Sequence, residues 1–162
     1  MSIFLDTCLF FGTYNINDAL HKDAIAIYVS AFSGRWGMIY TSDYIIDETS
    51  TLLKVKASPS LSLQFLKAVI ESKGISIITI DGEIFERSCK IFEKYHEKPG
   101  LSFTDAATIS VMKSLELDAL ASFDERSFEG IIDQRVGKDF WSSLSEGERK
   151  QIEKTINSYR LK

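Results

Sequence analysis

Apolar and polar positions alternate along the chain between short hydrophobic runs and longer stretches with helical spacing. Ser2-Ile3-Phe4-Leu5 reads as a first strand, apolar on both faces as a central parallel strand is. A helix is expected from about Ile16 to Phe32, with Asn17 or Asp18 as its cap. Gly34 and Gly37 mark a turn before a second strand, Met38-Ile39-Tyr40-Thr41. Ser42-Asp43 opens a helix to about Ala57, and Pro59 starts the next, to about Ser72. After Gly74, the run from Ile75 to Ile80 is the clearest strand.

A helix from about Gly82 to Tyr95 stops before the Pro99-Gly100 turn. Another runs from Ser102 or Phe103 to about Leu115, followed by a fourth strand from Ala119 to Phe123 and a short fifth at Gly130-Ile131-Ile132. In the tail, Ser145-Glu146-Gly147-Glu148 is a capping-box pattern, with Ile152, Ile156 and Tyr159 at helical spacing behind it. Strands alternating with helices predict an α/β sandwich with a mainly parallel sheet. The expected organisation is a main domain over residues 1–137 and a helical extension over 138–162 packed on it.

Composition adds limits. The 162 residues fit one domain with a core that needs no disulfides. Cys8 and Cys89 have no CxxC or Cys/His spacing, so both are read as small core residues of a reducing compartment. No apolar run reaches the ~20 residues that span a bilayer, and the first residues lack a basic signal-peptide region, so a cytoplasmic location is expected. A net charge of -4 leaves no basic footprint for nucleic acid. A cluster of carboxylates, however, stays negative until cations fill it, and a bound ion is then the largest local charge.

In an open parallel sheet, ligands collect beyond the carboxyl ends of the strands. Asp6 ends the first strand and Asp124 the fourth. Glu48 falls three after Ile45 and four before Leu52, which places it with the apolar face of its helix, while Asp47 shares a polar stripe with Thr51 and Lys54. Asp105 falls four before Ile109 and is likewise expected to point inward. Each acid also has a plainer reading: a strand-end turn, a lysine partner, or a first-turn acid favoured by the helix dipole. Together, oxygen donors without histidine or cysteine at metal spacing favour Mg²⁺ or Mn²⁺. Such ions bind a scissile phosphate and lower the pKa of a water.

The segments carrying these acids resemble the PIN-domain family. Ile3-Phe4-Leu5-Asp6-Thr7 resembles its opening motif, and Ile46-Asp47-Glu48-Thr49 its second acidic position. Ser102-Phe103-Thr104-Asp105-Ala106-Ala107 is similar to the third, and Ala121-Ser122-Phe123-Asp124 through Phe128 to the fourth. The resemblance spans about residues 2 to 133 and implies a three-layer α/β/α sandwich whose acids bind Mg²⁺ or Mn²⁺ and cleave RNA. On that mapping Asp6, Glu48, Asp105 and Asp124 form the metal site, with Thr7, Thr104 and Ser122 as supporting hydroxyls. The small stand-alone members resemble VapC toxins, which implies a homodimer and a cognate antitoxin. Cys8 departs from the family's usual small polar residue, and the tail beyond about Lys138 is longer than in minimal toxins.

Other readings fare worse. A haloacid-dehalogenase-type phosphatase needs a second Asp two residues after the first, where this chain has Cys8. The pattern of a receiver domain is not found, and there is neither a P-loop nor a GxGxxG. His21 and His96 are expected as surface or cap residues, and Trp36 as an edge of the core rather than a base-stacking surface. The competing function is a PIN-fold binding or assembly module with little catalysis.

Overall fold

The computed structural model describes residues 1–160, the side chains of 159 and 160 excepted. Five strands, β1 (Ser2–Leu5), β2 (Met38–Ser42), β3 (Ile75–Ile78), β4 (Ala119–Ala121) and β5 (Arg135–Val136), form one sheet in the order β3-β2-β1-β4-β5. Every pairing is parallel, and central Phe4 stands between Tyr40 and Leu120. Ile3, Phe4 and Leu5 are fully buried, which is why β1 shows no polar alternation.

Helices α1 (Thr7–Tyr14) and α2 (His21–Phe32) join β1 to β2, and α3 (Asp43–Lys56) and α4 (Pro59–Glu71) join β2 to β3. Helices α5 (Gly82–Lys94) and α6 (Phe103–Ser114) return the chain to β4, and the short α7 (Glu125–Phe128) precedes β5. Right-handed crossovers send the first four helices to one face of the sheet and α5 and α6 to the other. The packing agrees, since α1 meets α2 and α3, α3 meets α4, and α5 meets α6. This is an α/β/α sandwich.

Three local expectations need correction. The segment expected to lead into one helix from about Ile16 forms two, because Thr7–Tyr14 is helical and the chain turns before His21. Leu9 and Phe10 of α1 are fully buried and Phe65 of α4 packs on Phe10 and Tyr14, at centroid distances of 5.2 and 5.5 Å. With Thr7 and Gly12 buried too, no polar face marks the period. Asp18 is not a helix cap but holds the turn, its Oδ1 accepting the Leu20 N–H at 2.8 Å. The fifth strand is Arg135–Val136 rather than Gly130–Ile132, because Gly130 takes a φ of +74° and the N–H groups of Ile131 and Ile132 turn back to the Phe128 carbonyl.

The third and fourth strands are shorter than expected. The Ile80 N–H leaves the sheet to bond the Asp43 carboxylate, and Phe123 N–H bonds Cys8 Sγ. Beyond β5 lie a four-residue helix, α8 (Phe140–Ser143), and α9 (Glu146–Arg160). Leu144 and Ile152 bury against Ala26 and Val29 of α2, and the Asp23 carboxylate accepts the N–H groups of Asp139 and Trp141. Helix α9 starts with a Ser145/Glu148 box, and Arg35 bonds Glu148 at 2.8 Å. Glu148 is exposed and its carboxyl is pulled down to about 2, by the Ser145 bonds first and then by Arg35. The expectation for Tyr159 concerns a side chain outside those described.

Gly137 sits where β5 leaves the sheet, and a Cβ there would collide with the Ser122 carbonyl oxygen. That oxygen is backbone and cannot swing away. Gly137→Ala is therefore expected to lower stability by about 1–3 kcal/mol, read as a lower denaturation midpoint without a change in slope.

Candidate active site

The strand order reverses at β1, so the crevice between β1 and β4 opens where their carboxyl ends diverge. Asp6 follows β1 and its N–H bonds the Ala121 carbonyl of β4. The residue is 4% exposed, and its Oδ2 accepts Ser122 Oγ at 2.6 Å and the Cys8 thiol at 3.2 Å. Burial pushes the Asp6 carboxyl up to about 6; the Ser122 bond opposes this, and the charge of Asp105 adds to it. Cys8 is held protonated, its thiol raised well above the ordinary range by burial first and by Asp6 second.

Glu48 does not point into the core. It is exposed, on the flank of a buried stripe made by Ile45, Thr49 and Leu53. The stripe is centred on Thr49 rather than on Leu52, which turns Glu48 out toward the crevice. Thr7 Oγ1, in the first turn of α1, donates to Glu48 Oε2 at 2.8 Å. Asp47 is exposed as well, and contributes nothing to the cleft lining.

Asp105 is half-buried in the first turn of α6 and completes a capping box. Its Oδ2 accepts the Ser102 N–H at 2.6 Å, and its own N–H bonds Ser102 Oγ. Burial raises its carboxyl above the usual range, the Ser102 N–H and hydroxyl acting on the carboxylate hold it down, and the charges of Asp124 and Glu48 push it up. Asp124 caps α7: Ser127 N–H bonds Oδ1 at 3.0 Å and Ser127 Oγ bonds Oδ2 at 2.7 Å. Ser122 Oγ also accepts the Asp124 N–H, so one hydroxyl ties together the residues after β1 and β4.

All four acids line one cleft of about 300 Å³. Thr7 borders it as well, and Ser122 lies behind Asp6; Thr104, half-buried in the same turn as Asp105, does not line it. A larger apolar cavity of about 640 Å³ lies between α2, α4 and α9, with Glu71 its only acid among the lining residues. The four cleft acids are not among its lining.

Some of what surrounds the acids escaped the sequence reading. Asp18 and Phe11 line the cleft because α1 ends early and the turn after it folds back. Ser127 was signalled by its place three after Asp124, the spacing of a capped helix start. Cys8 is not a core residue but part of the cleft wall, and Cys89 is exposed on α5. Trp36 packs beside Phe140 at 5.7 Å, and His21 Nδ1 bonds the Gly12 carbonyl.

By kind, the donors fit a hard divalent cation: four carboxylates at one crevice, two of them with raised pKa values. Among the described residues, no group of three His, Cys, Asp or Glu side chains is closed around a common point for an ion. Asp105 and Asp124 turn carboxylate oxygens to the helix starts they cap. Removing one of those grips is informative. Ser127→Ala is expected to cost about 1–2 kcal/mol, as loss of a hydroxyl partner to a capping acid does, read by thermal melting, and to loosen Asp124.

A parallel sheet of this order with acids at its crevice defines a class. The PIN-domain family model matches residues 3–131, and the chain belongs to that family. It is 38% identical over 152 residues to a VapC ribonuclease of Archaeoglobus fulgidus, covering 94% of this chain and 93% of that one. Similar folds include VapC20 of Mycobacterium tuberculosis, a sarcin-ricin loop cleaving toxin, with a TM-score of 0.69 at 23% identity over 80% of this chain and 96% of that one. VapBC2 of Rickettsia felis, bound to a promoter DNA fragment, gives a TM-score of 0.62 at 11% identity, covering 85% and 98%.

Proposed function

We propose that this chain is an endoribonuclease of the VapC type, hydrolysing RNA phosphodiester bonds with Mg²⁺ or Mn²⁺ held by Asp6, Glu48, Asp105 and Asp124. The observation that carries the reading is the convergence of these four acids on one cleft, each gripped by a neighbouring hydroxyl or N–H group. Kinship with a VapC ribonuclease over nearly the whole chain supports it independently. When bound, such a cation supplies Lewis acidity toward the scissile phosphate and a lowered pKa for the attacking water.

The chain's own residues do the positioning. Ser122 fixes Asp6 and the backbone of Asp124 together, so the two strand ends hold one geometry. Thr7 orients Glu48, the most solvent-open of the four acids and the one best placed to contact an incoming water. Ser102 and Ser127 hold Asp105 and Asp124 until a stronger partner arrives. The apolar residues Phe11, Leu20 and Leu52 keep bulk water from one wall of the cleft.

The same reading brings a cytoplasmic location, a cognate antitoxin and a homodimer. No helix among the described residues is long and apolar enough to cross a membrane. Incubation with structured and single-stranded RNAs, with Mn²⁺ or with a chelator, tests the reading. Discrete fragments in Mn²⁺ and none in chelator are expected, and RNA bound but left intact under both conditions would favour a binding module instead.

A further inference from the structure

The cleft has a fifth acid that the four-carboxylate account leaves unused, beside its apolar wall. Asp18 lines it together with Phe11, Leu20, Leu52 and Phe123. Asp18 is not free to wander, because Oδ1 accepts the Leu20 N–H at 2.8 Å and its backbone is pinned by bonds to Asn15 and His21. Gly12 marks how close the pieces lie: a Cβ built there would stand 3.6 Å from the Phe123 ring and 3.7 Å from Asp18 Oδ1. Phe123 and the Asp18 carboxylate thus approach the same glycine, and both line the cleft that holds the four acids.

We propose that Asp18 and the wall of Phe11, Leu20, Leu52 and Phe123 form a nucleobase subsite that selects guanine next to the phosphate being cut. The inference rests on the ribonuclease reading and names which base its cleft takes. At about 300 Å³ the cleft is at the small end of ligand pockets, which suits one nucleotide rather than a folded helix. Single-stranded RNA is read in this way, with a splayed base against apolar or aromatic side chains and its Watson–Crick edge hydrogen-bonded.

The choice of base follows from donors and acceptors. An ionised carboxylate only accepts hydrogen bonds, and the Leu20 N–H occupies one of its roughly four lone-pair sites. Guanine presents two adjacent donors on its Watson–Crick edge, N1–H and the N2 amino group. Adenine and cytosine each pair one amino donor with a ring nitrogen acceptor, and uracil flanks its single N3–H with two carbonyl oxygens. Those acceptors would face the Asp18 carboxylate and be repelled. One well-formed bidentate pair discriminates by roughly tenfold to a hundredfold.

Two measurements separate this subsite from the ribonuclease reading. In the first, a randomised single-stranded RNA pool is cut in Mn²⁺ and the new ends are sequenced. Guanine is expected to be enriched roughly tenfold or more beside the cut, and Asp18→Asn, which keeps an oxygen for the Leu20 N–H, to flatten that enrichment while still cutting. In the second, GMP, AMP, CMP and UMP are titrated into the non-cutting Asp6→Asn chain and followed by NMR. GMP is expected to bind tightest, and adding Asp18→Asn to remove its advantage. Phe123→Leu should weaken all four nucleotides without changing their order. A pool left uncut while GMP keeps its Asp18-dependent advantage overturns the ribonuclease reading and upholds the subsite. Equal use of all four bases, or a guanine preference that Asp18→Asn leaves intact, overturns the subsite.

Discussion

Asp6→Asn is expected to lower RNA cleavage by more than ~100-fold and, at the same time, to raise the melting temperature of the metal-free protein. The two effects have one origin. Asp6 is almost completely buried, and its carboxyl is raised to about 6 because burial and the nearby Asp105 charge both disfavour ionisation. At neutral pH without a cation the fold therefore carries a buried negative charge that its Ser122 and Cys8 bonds only partly offset. An asparagine removes the charge and keeps an oxygen for Ser122. A variant that is inactive yet melts several degrees higher shows stability traded for function. If Asp6→Asn melts lower and cleaves normally, the residue is structural and the account of the cleft fails.

The second large effect is on pH dependence. A carboxyl whose folded pKa lies above its ordinary 3.8 binds its proton more tightly in the folded state. Below 3.8 both states are protonated and no penalty applies. As pH rises from 3.8 through about 6, the unfolded chain gives up its proton first, so stability falls across that window and stays lower above it. The shift is worth up to about 3 kcal/mol, and Asp105, also raised, acts in the same direction. The metal-free protein should melt lower at pH 7.5 than at pH 5, and millimolar Mn²⁺ should recover most of the loss at pH 7.5 but little at pH 5. Asp6→Asn should flatten this dependence. A wild-type profile that rises steadily from pH 5 to 7.5 without metal would contradict the assignment.

Much of this architecture is legible in the order of residues, for identifiable reasons. The strands β1, β2 and β3 and the helices α3 to α6 carry the apolar spacing of elements that bury one face or both. Helix α1 does not, because Leu9, Phe10 and Gly12 bury different sides of it and erase the period. Asp18 and Phe11 depend on that missed helix for their place in the cleft. The apolar pair in Gly130-Ile131-Ile132 points to a fifth strand there, whereas the pairing uses two residues, Arg135 and Val136, that show no pattern.

The acids divide in the same manner. Asp6 and Asp124 follow from strand ends, a position that sequence can mark. Helical phase favours Glu48 over Asp47, yet Glu48 is exposed rather than inward, since a shift of one residue in the centre of a helical stripe turns a flank into a face. Asp105 serves both as a capping acid and as a wall of the cleft, so its plain reading and its functional one are compatible. The hydroxyl partners were harder. Thr7 and Ser122 touch their acids directly, whereas the groups that hold Asp105 and Asp124 are Ser102 and Ser127.

The central claim is that four carboxylates at one sheet crevice make a cation-dependent RNA-cutting site. Its most direct test is cleavage of a single RNA panel by wild type, Asp6→Asn and Asp105→Asn, in millimolar Mn²⁺, with folding of each variant checked by circular dichroism. Discrete fragments from wild type alone, abolished by a chelator, are predicted. Equal cleavage by all three folded proteins, or none by wild type across the panel, would contradict it.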